Sequence, residues 1–144
     1  MEETLIRCFC AAAAALMLSA CATQYQSSGL TGGHYETAGP GKLEKVHFSG
    51  NGYITSDVVQ KYAMYRCAEI AKKKGKPHFV IYDGLMAAAL DRTATLPRVG
   101  AVGNKPTAAA FLLLLDRPRE GSHETQAVLA ELASVVNPPA AASK

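Results

Sequence analysis

The 144-residue chain contains no tryptophan and only six tyrosines and four phenylalanines. Platforms that stack bases or sugar rings are built from such side chains, and their scarcity argues against one. A strong charge bias is missing too. Fifteen Lys and Arg face twelve Asp and Glu, a net charge of +3, which is too weak for a nucleic-acid footprint. No nucleic-acid partner is expected. The longest uninterrupted apolar run, Cys8 to Leu18, is about half the roughly 20 residues of a spanning helix. His34, His47, His78 and His123 fall in no HxH or HxxxH spacing, and no CxxC occurs, so a metal site would need distant ligands. There is no GxSxG elbow. GPGK, Gly39 to Lys42, lacks the Walker spacing and reads as a hairpin turn. No catalytic residue, metal or cofactor is assigned.

What is present begins at the N-terminus. Arg7 precedes the apolar run, and Ser19 and Ala20 follow it, which is the layout of a signal peptide with small residues before the scissile bond. An ordinary secretory signal needs no cysteine next. The order Leu18-Ser19-Ala20-Cys21 resembles the lipobox of bacterial lipoproteins. That resemblance implies cleavage before Cys21, a diacylglyceryl group on its sulfur and acylation of the new amine, palmitate among the chains. Two or more acyl chains hold a protein on a membrane durably, at about 0.8 kcal/mol per buried methylene. The resemblance also implies the cell envelope. Ala22 stands where an inner-membrane retention signal would have Asp, so the periplasmic face of the outer membrane is expected.

With residues 1–20 as signal peptide, 124 of the 144 residues remain, enough for one domain. The signal holds one of the 15 basic and two of the 12 acidic side chains, leaving 14 against 10. Cys67 becomes the only unmodified cysteine, which rules out an intramolecular disulfide. It lies on an apolar helical stripe and reads as a small buried hydrophobe; the rival reading is an intermolecular bridge. Residues 21–32, polar and rich in Ser, Gln and Gly, read as a flexible tether. The domain is expected over 33–136, and 137–144, with Pro138 and Pro139, as a disordered tail.

Within the domain, HYET reads as a short strand and KLEKVHFS as a half-buried one, alternating around Val46 and Phe48. GNG, Gly50 to Gly52, ends it with residues that tolerate positive φ. Thr55 or Ser56 caps the next segment, where Val59, Ala63, Cys67 and Ile70 recur at helical spacing. Lys72 to Lys74, Gly75 and Pro77 close that helix. HFVIY is a third strand. AAAFLLLL, apolar on both faces, suits a central covered strand. Ser122 is placed as cap of a last helix with Val128, Leu132, Val135 and Val136 on one face. The order ββαββα describes a small two-layer α+β domain, helices on one face of a mostly antiparallel sheet. Gly84 to Thr107 is long for a plain loop; GLMAAAL extends the third strand or makes a helical turn.

KKKGK, Lys72 to Lys76, is the one charge cluster. Lys72, Lys73, Lys74 and Lys76 are candidates for contact with an anionic surface, at about 1 kcal/mol per basic residue near such a surface, or simply a helix C-terminus with its preferred cations. Arg66 and Glu69, three apart, can pair on the helix.

GGHYET, then FSGNGYITSDVVQKYAMYRCAEIAKKKG, then HFVIYD together resemble a family of small proteobacterial lipoproteins of uncharacterised function. The approximate pattern is GGYxET, FxGNGYTSxxxVxxYxLxRAAE and FxVI. The likeness spans Gly32 to about Asp83, with Cys67 where the family usually has Ala. It implies an envelope location and no enzyme activity. The expected function is a lipid-anchored periplasmic binding or structural module, partnered with the membrane through Cys21 and with an envelope protein or lipid. Two alternatives stand beside it: a small-ligand or lipid carrier lined by residues 85–90, and a hydrolase assembled from His47, His78 and Asp83.

Overall fold

The computed structural model describes residues 22–139. The signal segment, Cys21 and residues 140–144 lie outside the described residues. Strands β1 (Gly33–Ala38) and β2 (Glu44–Ser49), helix α1 (Ser56–Lys73) and strand β3 (His78–Tyr82) follow one another. Then come α2 (Leu85–Ala89), β4 (Arg98–Val102), β5 (Lys105–Leu115), β6 (His123–Glu124) and α3 (Thr125–Val136). The result is an α+β domain with a six-stranded sheet, β1-β2-β5-β3-β6 with β4 beside β5, every strand pair antiparallel. The ββαββα frame is there, with α2, β4 and β6 added to it.

The long strand β5 organises the sheet. One edge pairs with β2 from Ser49↔Thr107 to Glu44↔Leu112. The other is shared end to end, β4 taking residues 105–109 and β3 taking 111–115. Alternation along β5 turns Ala108, Ala110 and Leu112 inward, all buried. The α1 residues that meet this face are equally small: Ala63, Cys67, Ala68 and Ala71 have almost no exposed surface. Small residues on both sides let helix and sheet approach closely, and Phe48, Phe79 and Ile81 fill the flanks. Helix α3 packs on α1 and closes the same layer through Val128, Leu132 and Val136.

The opposite face of β5 differs from expectation. Ala109, Phe111 and Leu113 are only half-buried, because no long helix covers them. Lys45 lies over the Phe111 ring at 5.4 Å, and the short α2 shields Leu113. An apolar strand is satisfied here by neighbouring side chains rather than by a second helical layer.

Helix α1 begins and ends where the sequence places it. The Thr55 hydroxyl accepts from Val58 N–H. At the C-terminus Gly75 adopts φ +67, and Gly75 and Lys76 N–H return to Lys72 and Ala71 carbonyls, a Schellman closure. Helix α3 is capped by Glu124, not Ser122. The Glu124 carboxylate accepts from Gln126 and Ala127 N–H at 3.1 and 2.6 Å, while Ser122 closes a turn with Arg119. GPGK forms the β1–β2 turn, with Gly39 N–H on the Leu43 carbonyl. In GNG, Gly50 answers a need for space rather than for positive φ: a Cβ there would sit 2.3 Å from Ile54 Cγ2.

The largest departure is the segment read as a flexible tether. From Ala22 onward it is part of the fold. Thr23 is 2% exposed; its hydroxyl donates to Thr31 O at 2.5 Å and accepts from Asn51 N–H at 2.8 Å. Tyr25 packs against the core beside Phe48 and Tyr62. The chain then runs along β1, with Ser28 N–H on His34 O and His34 N–H on Gln26 O, both at 2.8 Å. Gly33 (φ +135) permits this return, since a Cβ there would lie 2.6 Å from the Gln26 and Ser27 carbonyls. Low hydropathy concealed the segment because its order comes from backbone bonds, the Thr23 hydroxyl and one ring.

Cys67 is fully buried, and burial pushes its thiol up to about 12, so a reactive thiolate is withheld. Native protein should resist maleimide without reductant, label fully in denaturant and form no covalent dimer. Cys67→Ala should cost about 1 kcal/mol or less and Cys67→Arg several, because an unpaired charge enters the core. Urea unfolding curves of the two variants check the difference.

Candidate functional site

The polar side chains of HYET and YRCAE lie some thirty residues apart in sequence and meet where β1 crosses α1. Arg66 Nε donates to Glu36 Oε1 at 2.5 Å, and Nη1 donates to Glu69 Oε2 at 2.9 Å. The Tyr25 hydroxyl donates to the same Glu69 oxygen. His34 Nδ1 stands 3.2 Å from Glu36 Oε1. Arg66 and Glu69 share a helix face by their spacing, and His34 and Glu36, two residues apart in β1, share a strand face by alternation. Tyr25 sits at the centre of four rings, with His34, Phe48, Tyr62 and Tyr65 at centroid distances of 5.1 to 6.3 Å.

Electrostatics fix the protonation of this group. Burial raises the Tyr25 phenol, and the hydrogen bond to Glu69 raises it further, so it remains a donor. Burial lowers His34 and the Arg66 charge adds to that, outweighing Glu36; the imidazole is neutral at pH 7. Burial alone would raise Glu36, but the Arg66 hydrogen bond and charge hold it below the usual range. Arg66 Nε, Arg66 Nη1 and the Tyr25 hydroxyl each reach a carboxylate oxygen. The arrangement fastens three segments together and offers no activated nucleophile: the nearest thiol, Cys67, is buried and protonated.

Beside it, Tyr65, Arg66, Glu69, Lys72, Lys73 and Gln126 line an open groove of about 670 Å³ between α1 and α3. The lysine cluster divides here. Lys74 pairs with Glu44, and Lys76 with Asp116 at 2.7 Å. Lys72 and Lys73 make no ion pair among the described residues and face the groove. All four belong to the C-terminal end of α1 or the turn after it.

The four histidines stay apart. His47 stacks on Tyr35 at 4.6 Å on the open sheet face, and His123 stacks on Phe79 at 5.3 Å on the helical side. Among the described residues no three His, Cys, Asp or Glu side chains converge as a metal site. Nor do His47, His78 and Asp83 form a cleft. His47 is opposite Ala109 and His78 opposite Leu115, about 20 Å apart along β5 at roughly 3.3 Å per residue. Asp83 follows the far end of β3 from His78.

Of residues 85–90, Leu85, Ala88 and Ala89 line a groove of about 390 Å³ with Pro40, Leu43, Tyr82 and Leu113. It is a shallow apolar trough on the open face, since Leu85, Met86 and Leu90 are themselves exposed. Ligand pockets enclose most of their guest; this one does not. Next to it is a cluster that sequence reading missed. Arg119 grips Asp91 through both guanidinium nitrogens at 2.6 and 2.7 Å, and the Tyr82 hydroxyl donates to Asp91 at 2.7 Å. The Arg119 bond, then that of Tyr82, holds the Asp91 carboxyl at about 2. Asp91 has φ +51. The sequence offered no sign of the pairing, whose partners lie 28 residues apart.

No protein-family model, curated protein or solved structure matches this chain.

Two expectations follow for the Arg66 group. Arg66→Ala leaves two carboxylates facing each other and should cost about 1–2 kcal/mol, discounted for partial exposure; Arg66→Lys should recover little, because one ammonium cannot reproduce the fork. Chemical denaturation midpoints measure both. The second concerns pH. His34 has its folded value below 6.5 and Glu36 below 4.5, so for both the unfolded chain binds protons first. Stability should therefore begin to fall as pH drops below about 6.5, and again below about 4.5. Melting temperatures across pH 7 to 4 test this, and His34→Gln should flatten only the upper part.

Proposed function

We propose that this chain is a lipid-anchored binding or structural module of the bacterial cell envelope, held through Cys21 on the periplasmic face of the outer membrane. The observation that carries the reading is LSAC, a cysteine behind small residues at the end of an apolar run that is too short to span a bilayer. Among the described residues no helix is long and apolar enough to cross a membrane, so attachment on this reading falls to the lipid. The exposed trough of Leu43, Leu85, Ala88 and Leu113, with exposed Met86 and Leu90 on the same segment as Leu85, lies at the half of the sheet away from the N-terminus and supports a docking role for the domain. An open apolar surface of this kind suits a partner protein better than an enclosed small molecule.

Intact-mass analysis of the membrane-bound protein should find Cys21 as the first residue and acylated. Cys21→Ala should leave an unprocessed or released chain. An unmodified Cys21 in the mature, membrane-bound form is the result that ends this reading. On density gradients the wild type should travel with outer-membrane markers. Crosslinking in native envelopes, with Leu85→Asp as the comparison, should show a partner lost when the trough is charged.

A further inference from the structure

We infer that the domain lies directly on the bilayer with one defined end, inserting Leu30, Tyr53 and Val102 among the lipid headgroups. The inference rests on Cys21 being acylated, and it concerns what the fold does with that lipid.

The first ground is reach. Thr23 is fixed in the fold by two hydrogen bonds and burial, and Cys21 is two residues before it in sequence. Consecutive Cα atoms are about 3.8 Å apart, so an acylated Cys21 stands within about 8 Å of a buried residue. No long linker separates lipid from domain.

The second ground is what surrounds that point. Asn51 N–H binds Thr23, and the Thr31 carbonyl accepts from it, which puts the 50–53 loop and the 29–32 turn beside it. Gly52 lies against Asn104, bringing in the β4–β5 hairpin. Ala22, Val135 and Val136 share one apolar cluster with Ile54, which adds the end of α3. The four stretches 22–33, 49–56, 99–104 and 132–139 of this end contain no Asp, Glu, Lys or Arg, and the charges that border them are Asp57, Arg98, Lys105 and Glu131.

The third ground is the apolar side chains the end projects. Leu30 is fully exposed, Tyr53 is 70% exposed and Val102 72%, one on each of three neighbouring loops. Tyrosine favours the headgroup level, where one end of the ring is apolar and the other wet. Lys105, opposite Val102, keeps its ammonium among the headgroups while its stem lies along the apolar surface. The rest of the molecule is arranged oppositely. Helix α1 starts at this end and runs 18 residues away from it, about 27 Å at 1.5 Å per residue. Lys72, Lys73, Lys74 and Lys76 are therefore carried away from the anchoring membrane.

The test uses the full, lipidated protein in phosphatidylethanolamine–phosphatidylglycerol vesicles. Leu30→Cys, Tyr53→Cys, Val102→Cys and Lys73→Cys variants are each labelled with an environment-sensitive fluorophore, buried Cys67 remaining unlabelled. The same samples are weighed intact to establish acylation. With acylation present, labels at positions 30, 53 and 102 should be quenched several-fold more by nitroxide lipids than the label at 73, and less by aqueous iodide. Equal iodide access at all four positions in acylated protein would overturn the flush orientation and leave the anchored-module reading standing. Strong lipid quenching at 73 alone would reverse the orientation and also defeat the inference. Absence of acylation would remove both.

Discussion

One guanidinium holds together the parts of this molecule that sequence keeps apart. Arg66 places Nε on Glu36 of β1 and Nη1 on Glu69 of its own helix, and Glu69 also receives the Tyr25 hydroxyl. The edge strand, the main helix and the N-terminal segment are thereby referred to one planar cation. Geometry of this kind is specific to arginine, whose fork has fixed directions. Neither carboxylate would tolerate this proximity without the cation between them. The Tyr25 ring could not stay among Phe48, Tyr62 and Tyr65 if its hydroxyl lacked an acceptor at the edge of the cluster.

The closeness of α1 to the sheet makes that meeting possible. Ala108 and Ala110 on β5 face Ala63, Cys67 and Ala71 on α1, so the helix rides low and brings Arg66 within reach of β1. A larger side chain at any of these positions would lift the helix and lengthen the Arg66 bonds together with the loss of packing. Packing and polar network are thus one constraint. That is also why Cys67 needs no chemistry of its own: its place demands a small apolar side chain.

Legibility divides along the same line between local and non-local causes. Helix α1 was readable from Thr55 to Gly75 because its cap, its stripe and its closure are all local signals. Strands β2, β3 and the apolar half of β5 followed from alternation and composition. Of the stretch 84–107 only the helical turn at GLMAAAL was foreseen, as one of two alternatives; β4, RVGAV, is mostly exposed and carries a glycine, so it is a strand only by pairing with β5. The Glu124 cap was misplaced by two residues because Ser is a preferred cap residue and Glu is not. The 22–32 segment failed for a deeper reason. Its polar composition describes a linker, yet Thr23, Tyr25 and the Gly32–Gly33 pair fasten it through partners distant in sequence. Of the Arg66 group, the sequence foretold the Arg66–Glu69 pair and neither Glu36, His34 nor Tyr25.

The arrangement has a directional consequence. Helix α1 and strand β5 both begin at the end where Ala22 enters, with Asp57 and Lys105 among their first residues, and both finish at the end that carries Lys72, Lys73, Lys74, Lys76 and Asp116. Lys74 with Glu44 and Lys76 with Asp116 neutralise part of that far end, leaving Lys72 and Lys73 over the α1–α3 groove. The apolar trough of Leu43, Leu85 and Leu113 lies on the same half, beyond β4 along β5. On the proposed reading, the half nearest the lipid carries one groove, with Asp57, Lys61 and Glu131 in its lining. The far half carries the α1–α3 groove with Lys72 and Lys73 and the apolar trough. Selectivity between partners comes from charge and shape together, and on that reading a partner reaches the two far grooves without approaching the bilayer.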